Sequence, residues 1–486
     1  MRRIAILAPI VARYDAISAA AAENRRLLAE DPDLHVTLLT THNETDTPAR
    51  IVPDLADLLA CEEFRSADLL LSHFGIYHPF HHALLVGNGH ARQVAVFHNI
   101  TPPALVPEAR RAVIDHSLQQ AHNLAHADEI WADSDFNAAD LPRFGVDPAR
   151  VRVMPLGVAR PALGRAADKP RHGLHLLYVG RIVPAKGVHD LIQAVLRAQP
   201  RLPPALRTTF RLTIAGNRAF SDPAFIAACE AEIAASFLAG QATIIDTPDD
   251  ATLARLFASA HILCIPSYHE GFCVPVVEGL RAGCIPLGYA AGNIPSVAAG
   301  LGRLVEPGDV AALADALATL ADAHDHARSD PAATLPLDAG PLTLAEFDAS
   351  ARAHLEIFDP ARIAQAKCQH IHRLLADLPP NPRALPIPAN ASVPAPAIAA
   401  PVLLPPRTTL ATLRQIPGAR PAARLLRRRF PRAWTWLLHR YLPPSQHAVA
   451  AAPLPRPPAP AALSPEARAA FTRLAVAARA RRRPAA

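Results

Sequence analysis

The chain has 486 residues, half of them hydrophobic, and a mean hydropathy of +0.12. This length predicts about two to four domains with large buried cores, and the composition excludes a wholly disordered or collagen-like chain. The net charge of +6 is uneven: residues 379–486 hold 17 arginines, no lysine and one acid, whereas the remainder holds 32 basic and 42 acidic residues. The acidic remainder argues against nucleic acid as a partner at the main site.

The six cysteines have neither CxxC nor zinc-site spacing, so we expect reduced and mostly buried thiols in a cytoplasmic protein. Residues 1–12 begin with basic residues and continue with an apolar run, but Arg13 and Asp15 interrupt that run. A first buried parallel strand fits this pattern better than a signal peptide. No stretch of 18 uninterrupted apolar residues exists, so we expect no transmembrane helix.

Short β-rich apolar runs alternate with longer amphipathic runs, which is typical of parallel sheets flanked by helices. In the first half, strands are predicted at 4–7, 36–39, 69–72, 93–97, 129–132 and 151–154. In the second half, they are predicted at 174–179, 209–214, 242–245, 262–265 and 284–288. The alternation restarts after a polar basic stretch, which predicts two doubly wound α/β domains facing each other across a cleft.

The predicted domains are therefore one Rossmann-like domain at 1–165 and a second at 166–345, followed by a closing helical segment at 346–378. Residues 379–486 form a Pro/Ala/Arg-rich tail that we expect to be largely disordered. Within it, 422–442 interleaves aromatic and leucine residues with arginines, a composition that suits an anionic membrane surface. A basic disordered tail with no partner is the alternative.

The segment 267–283 is the most informative motif of the chain. Pro275 suits the first turn of a helix and Gly283 the position just past its end. We therefore expect Glu270 in the preceding loop and Glu278 about one turn inside the helix. The free amides at the helix start bind anions, while carboxylates accept hydrogen bonds from sugar hydroxyls, so the segment predicts a sugar-nucleotide site. A solvated surface helix is the alternative.

A second segment, 178–191, runs from a strand through a loop into a helix. Arg181 and Lys186 would lie in the loop at the carboxyl end of a parallel strand, where α/β sheets bind ligands. The chain has three lysines against 46 arginines, so a lysine in this loop indicates a specific role. A guanidinium fork beside an ammonium suits a diphosphate, although the spacing is neither a Walker A loop nor GxGxxG. The alternative is two exposed basic residues at a helix start.

These residues resemble the retaining glycosyltransferases of family 4 (glycosyl transferases group 1), which have two facing Rossmann-like domains in the GT-B fold. The resemblance covers 1–378 in outline and is most specific over 176–309. Two motifs carry it: Gly180-Arg181 with Lys186-Gly187, and the E-x7-E pair Glu270 and Glu278. Two segments add to it: the strand-loop pattern at 302–309, and residues 246–267, which are similar to the family segment that covers the nucleotide base.

The resemblance implies that Arg181 and Lys186 neutralise the diphosphate leaving group, that Glu278 binds the ribose, and that Glu270 contacts the donor sugar near its anomeric carbon. Further donor contacts would come from Gly180, Gly271, Phe272, Cys273 and Val274. The donor would be a UDP-, GDP- or ADP-sugar, attacked by the acceptor on the face that the phosphate leaves. Two cations and a helix end on the leaving group make a metal dispensable, so we expect no metal and no other cofactor.

The N-terminal half should supply the acceptor side. Segment 97–103 is similar to one in bacterial members of the family, which places His98 near the reaction centre as a predicted catalytic residue with Glu270, Arg181 and Lys186. A core or capping histidine is the alternative. The predicted acceptor-side residues are Arg13, Tyr14, His73 and Asn99, with His78, His81 and His82 as further candidates in a cluster that lacks metal-site spacing.

Two features depart from a simple match. Many family members carry a Gly-Gly loop after the first strand, whereas 8–18 contains no glycine, so Arg13, Tyr14 or Asp15 would have to reach the donor by side chain. The Asp-x-Asp triplets at 31–33 and 133–135 resemble metal-binding pairs of the other major glycosyltransferase fold. Ser134 or Asp135 would cap a helix there, which is a sufficient structural reason for the second triplet.

The expected activity is transfer of a hexose from a nucleotide sugar to an acceptor hydroxyl, in bacterial cell-surface polysaccharide or glycolipid biosynthesis. The acceptor is a sugar, a lipid-linked saccharide or a glycan, and the enzyme is expected in the cytoplasm, with peripheral contact at the inner membrane face through 422–442. The alternative is a non-catalytic sugar-nucleotide-binding or scaffold subunit that docks through its basic tail. A phosphorylase-like protein shares the fold class, but no local signature identifies a lysine for pyridoxal phosphate.

Overall fold

The computed structural model describes residues 1–13, 15–218 and 221–376, so the tail at 379–486 and Tyr14 lie outside the described residues. The described chain forms two large parallel sheets flanked by helices, one in each half, and two small two-stranded sheets. This confirms the predicted fold class of two Rossmann-like α/β domains.

The strands of the first half are β1 Arg2–Leu7, β2 Ile10–Val11, β3 Leu34–Thr40, β4 His42–Asn43, β5 Arg50–Ile51, β6 Leu69–Phe74, β7 Arg92–Phe97, β8 Glu129–Ala132 and β9 Val151–Val153. Those of the second half are β10 Leu174–Val179, β11 Phe210–Gly216, β12 Ala242–Asp246, β13 Ile262–Ile265, β14 Ile285–Tyr289, β15 Arg303–Val305, β16 Thr334–Leu337 and β17 Gly340–Thr343.

The order of the strands fixes where each sheet can bind a ligand. The first sheet has the order β5-β3-β1-β6-β7-β8-β9 and the second β12-β11-β10-β13-β14-β15, with parallel pairing throughout. The order reverses between β1 and β6 and between β10 and β13, and the loops diverge at such switch points to leave a crevice. The loops after β10 and β13 carry the two motifs singled out above.

Helices cover both sheets and follow the strands in alternation. In the first half they are α1 Ala16–Ala29, α2 Leu55–Ala60, α3 Glu62–Ser66, α4 Glu108–Ala121 and α5 Asp135–Asp140. In the second half they are α6 Val188–Ala198, α7 Pro204–Thr209, α8 Pro223–Ala234, α9 Asp250–Ser259, α10 Val274–Arg281, α11 Ile294–Ala298, α12 Val310–Ala327, α13 Leu344–Leu355 and α14 Pro360–Ala376. Asp15 caps the N-terminus of α1, where its side chain accepts a hydrogen bond from Ser18 N. Thr343 and Glu346 form a capping box at the N-terminus of α13.

The last described helix returns to the first domain. Ile371 and Leu375 on α14 are buried in the hydrophobic core that contains β1 and β3. Where the chain crosses between the domains, Val158 N donates to Phe358 O at 3.0 Å, so the outward and return crossings lie side by side. Helix α14, the last described helix, therefore belongs to the packing of the N-terminal half.

The predicted strands agree with the observed ones to within two residues at each end. The short strands β2, β4, β5, β16 and β17 were not predicted, because none of them is a continuously buried apolar run. All six cysteines are free thiols, and only Cys368 is not fully buried. Within the described ranges, no helix combines the length and apolar character that crossing a bilayer requires.

Candidate functional site at the carboxyl ends of β10 and β13

The loop after β10 holds its two basic residues in a tight turn. Tyr178 Oη donates to the backbone oxygen of Arg181 at 2.7 Å, which ties the start of the loop to its own strand. Gly187 closes the loop at φ +65°, and a Cβ there would lie 2.0 Å from the oxygen of Pro266 at the end of β13. Only glycine fits this approach, so Gly187 brings Lys186 beside the second motif.

Lys186 and Glu270 form an ion pair inside the site. Lys186 Nζ lies 2.6 Å from Glu270 Oε1, and the two side chains are 16% and 15% exposed. Arg181 is exposed, and among the described residues its guanidinium has no hydrogen-bond partner. The site therefore presents one cation that is already neutralised by a carboxylate and one that is free to bind an anion.

The loop that carries Glu270 is fixed through its backbone. Asn293 N donates to Glu270 O at 2.9 Å, and Asn293 Nδ2 donates to Phe272 O at 3.1 Å. The ring of Phe272 packs edge-on against Phe358, with 5.6 Å between centroids. A Cβ at Gly292 would lie 2.3 Å from Glu270 O, so this contact also needs a glycine. Glu270 thus projects from a loop that is held at two carbonyls.

Helix α10 begins as the sequence predicts. Pro275 lies in its first turn, and Gly283 follows its end at φ +78°. Cys273 is the N-cap residue, in a left-handed conformation at φ +75°, and burial raises the pKa of its thiol. The helix start therefore directs amides and a partial positive charge toward the space beside the Lys186–Glu270 pair.

Glu278 lies inside α10, as predicted. Burial raises the pKa of its carboxyl group from 4.5 to about 7. The charged form is disfavoured because the group is removed from water. A bound hydroxyl that donates to this carboxylate would restore part of the lost solvation, which is compatible with the predicted contact to a ribose.

On the facing domain, His98 is held at both ring nitrogens. Its Nδ1 donates to Asp133 Oδ2 at 2.8 Å, and its Nε2 lies 2.8 Å from His73 Nδ1. The side chain of His98 is only 5% exposed, and the His73 and His98 rings are stacked at 5.1 Å between centroids. In this arrangement neither ring nitrogen of His98 is free to contact a ligand.

The two domains meet at the residues that follow His98. Asn99 has φ +80° and bridges the domains: its Nδ2 donates to Asn137 Oδ1 at 2.6 Å, and its Oδ1 accepts from His269 Nε2 at 2.8 Å. Ser134 Oγ donates to Gly271 O at 2.6 Å. The loop with Glu270 is therefore bonded to the first domain from both of its flanks.

Sequence reasoning missed Asn137 and His269 at this contact, and Asp133 beside His98. Asn137 carried no motif of its own, His269 lies in the 267–283 motif but was not singled out, and Asp133 was considered only as part of an Asp-x-Asp triplet. Of the two predicted capping residues, Ser134 and Asp135, it is Ser134 that caps α5, because its Oγ accepts from Asn137 N. The signal for Asp133 was its place at the carboxyl end of β8, next to the strand that delivers His98.

The other predicted acceptor-side residues have local roles. Arg13 is exposed, and its Nε donates to Glu44 O at 3.1 Å. The carboxylate of Asp15 accepts from Ser18 N and Ser18 Oγ, so it is engaged as a cap. His78 caps a short 3-10 turn. In the described part of the chain, no group of three or more His, Cys, Asp or Glu side chains is arranged to hold a metal ion.

A family model described as "Glycosyl transferases group 1" matches residues 164–329, which contain both motifs of the second domain. Among curated proteins, an MMP alpha-(1->4)-mannosyltransferase of Mycolicibacterium hassiacum is 32% identical over 201 residues, covering 40% of this chain and 45% of that protein. An O-antigen chain mannosyltransferase B of Escherichia coli is 26% identical over 235 residues, covering 46% and 59%. The chain thus spans about half the length of the curated relatives it matches.

Solved structures extend the likeness to both domains. Sucrose-phosphate synthase from Thermosynechococcus elongatus superposes with a TM-score of 0.57 at 18% identity, covering 77% of this chain and all of that one. Anabaena HepE in complex with UDP-glucose gives a TM-score of 0.58 at 16% identity, with the same coverage. These likenesses show that both domains share the fold of these solved structures, and the family model supports the resemblance to group 1 glycosyltransferases over residues 164–329.

Proposed function

We propose that the chain is a retaining glycosyltransferase of family 4 that moves a hexose from a UDP-, GDP- or ADP-sugar to an acceptor hydroxyl. The observation that carries the proposal is the meeting of Arg181, Lys186 and the start of α10 at one switch point of the second sheet. Two cations and a helix N-terminus form a site for a diphosphate without a metal ion.

In the proposed reaction, Arg181 and Lys186 hold the diphosphate while the bond from the anomeric carbon to its phosphate oxygen breaks. The acceptor oxygen bonds to that carbon on the same face, and its proton passes to the departing phosphate oxygen. Glu270 leaves Lys186 and accepts hydrogen bonds from the donor sugar, whereas Glu278 accepts from the ribose. The negative charge that develops on the leaving group is stabilised by groups already in place.

The first domain would position the acceptor. Asn99 and Ser134 already contact the loop that carries Glu270, so a bound acceptor would lie beside the donor sugar. Names of similar proteins include an O-antigen mannosyltransferase and WaaG, a glycosyltransferase of lipopolysaccharide biosynthesis, which supports a cell-surface glycan or lipid-linked acceptor. Such an acceptor suits a cytoplasmic enzyme held at the inner membrane face through 422–442.

Calorimetric titration with UDP, GDP and ADP tests the diphosphate site. Losing a hydrogen bond to a charged group costs about 1.5–3 kcal/mol, so Arg181→Met should weaken binding of the preferred nucleotide about 10- to 100-fold. Arg197→Met is the matched control, since it removes an exposed cation from the far end of α6. Equal affinity of wild type and Arg181→Met would contradict the site. Binding without turnover of any sugar nucleotide would instead support the non-catalytic subunit.

A further inference from the structure

A buried row of hydrogen-bonded side chains links helix α14 to the candidate reaction centre. Lys367 Nζ on α14 donates to Asn24 Oδ1 at 3.1 Å, and Asn24 Nδ2 lies 3.2 Å from His73 Nε2. His73 Nδ1 then meets His98 Nε2 at 2.8 Å, and His98 Nδ1 meets Asp133 at 2.8 Å. All five side chains are buried.

The groups at the two ends of this row determine the donor-to-acceptor direction of its hydrogen bonds. A lysine ammonium donates and cannot accept, so the carbonyl oxygen of Asn24 has to face Lys367. The amide nitrogen of Asn24 must then donate to His73 Nε2, which leaves the proton of His73 on Nδ1. At the other end the carboxylate of Asp133 only accepts. Every bond therefore points the same way, from the helix to Asp133.

The charges around the row agree with this direction. Burial, reinforced by the charges of its neighbours, lowers the pKa of His73 well below its usual range, so that ring is neutral. Burial also lowers the pKa of Lys367, but the Asn24 atom that faces its nitrogen at 3.1 Å is the amide oxygen, which only accepts, so Lys367 donates in either form. A neutral His73 with its proton on Nδ1 requires His98 Nε2 to accept.

We infer that Lys367, Asn24 and His73 are positioning residues that hold His98 as the neutral tautomer with its proton on Nδ1. The inference rests on the proposed function for its catalytic meaning. A neutral His98 locked at both nitrogens neither gives a proton to the leaving phosphate nor adds a cation to the site. Its role is to fix the backbone that carries Asn99, which reaches across to His269. Docking of α14 thereby sets the geometry of the reaction centre.

Asn24→Asp tests the direction of the row. The new carboxylate still accepts from Lys367 but cannot donate to His73. His73 must then donate from Nε2. Either His73 accepts at Nδ1 and His98 donates from both nitrogens as an imidazolium, or His73 itself becomes the imidazolium and His98 is unchanged, so in both cases the pair gains one proton. We expect the ring nitrogen resonances of the two histidines, measured in full-length protein labelled with ¹⁵N-histidine and assigned with His73→Gln and His98→Gln, to change from two protonated nitrogens in wild type to three in Asn24→Asp. Wild-type His98 protonated on Nε2, or only two protonated nitrogens in Asn24→Asp, would overturn the inference.

Turnover provides a second measurement. Misplacing a reacting group by about 1 Å can cost 100-fold, so we expect Asn24→Asp and Lys367→Met each to lower kcat about tenfold or more with little change in donor KM. His372→Gln is the control, because it removes a 2.6 Å contact of α14 with Asp31 outside the row. Equal losses in His372→Gln and Lys367→Met would show that the row has only a structural role. Failure of the proposed function would appear differently, as the predicted His98 tautomer in a protein that turns over no donor.

Discussion

The Lys186–Glu270 pair makes a prediction that distinguishes phosphate binding from sugar binding. In the structure Lys186 is bonded to Glu270, so a diphosphate has to compete with that carboxylate for the ammonium. Glu270→Gln keeps the shape of the side chain and removes its charge. We therefore expect this variant to bind a nucleoside diphosphate more tightly than wild type while it loses transfer activity.

The magnitude follows from the geometry of the pair. A hydrogen bond to a charged group contributes about 1.5–3 kcal/mol, but both side chains retain some contact with water. Because water screens the pair, we take the Lys186–Glu270 interaction to be worth about 1 kcal/mol. Removing it in Glu270→Gln corresponds to a roughly fivefold lower Kd for the nucleotide. Lys186→Met removes the cation itself, so its Kd should rise about tenfold or more.

Calorimetry with the preferred nucleoside diphosphate, together with an assay of sugar release, measures both effects. The account predicts opposite changes in nucleotide affinity for Glu270→Gln and Lys186→Met, and a turnover reduced by about 100-fold or more in both. Weaker nucleotide binding by Glu270→Gln would refute the reasoning, because it would mean that Glu270 supports the diphosphate instead of competing with it.

Three further predictions concern stability, pH and the tail. Gly187→Ala should lower the free energy of unfolding by about 3 kcal/mol, and Gly240→Ala by only about 1 kcal/mol. Both glycines have a positive φ, but a Cβ at Gly187 would clash with Pro266 whereas a Cβ at Gly240 meets open space. Equal losses of stability in urea unfolding would contradict this. The pKa of Glu278 is about 7 in the folded state against 4.5 in the unfolded state, so its contribution to the free energy of unfolding is fully present below pH 4.5. The free energy of unfolding should therefore fall by at most about 3 kcal/mol as the pH rises through 7. The same dependence of stability on pH in Glu278→Gln would exclude this residue as the cause. Deleting 379–486 should reduce co-sedimentation with anionic vesicles and leave nucleotide affinity unchanged, and undiminished co-sedimentation would remove the membrane proposal.

The fold could be predicted from the sequence because its main strands are buried runs of apolar residues bounded by turn residues. β8, β10 and β13 match their predicted limits, since each is an apolar run that ends at polar or glycine-rich loops. The candidate site of the second domain could be predicted for a related reason. The loops after β10 and β13 are adjacent in the sheet, and each carries its candidate residues within a few positions of the strand end.

The site of the first domain could be predicted only in part. His98 was predicted from the resemblance of segment 97–103 to bacterial members of the family, but its partners come from distant positions. Asp133 follows the neighbouring strand, and the row through Asn24 ends at Lys367 on the returning helix. Such contacts depend on the packing of separate elements, and no local pattern encodes them. The rarity of lysine in the chain was a usable signal for Lys367, as it was for Lys186.

The most direct measurement is release of nucleoside diphosphate from UDP-glucose, GDP-mannose and ADP-glucose in the presence of EDTA, with wild-type protein and Lys186→Ala side by side. The account predicts slow turnover of one nucleotide series by wild type and its loss by several orders of magnitude in Lys186→Ala. Turnover of no donor, or equal turnover by the two proteins, would contradict a metal-independent donor site built on Lys186.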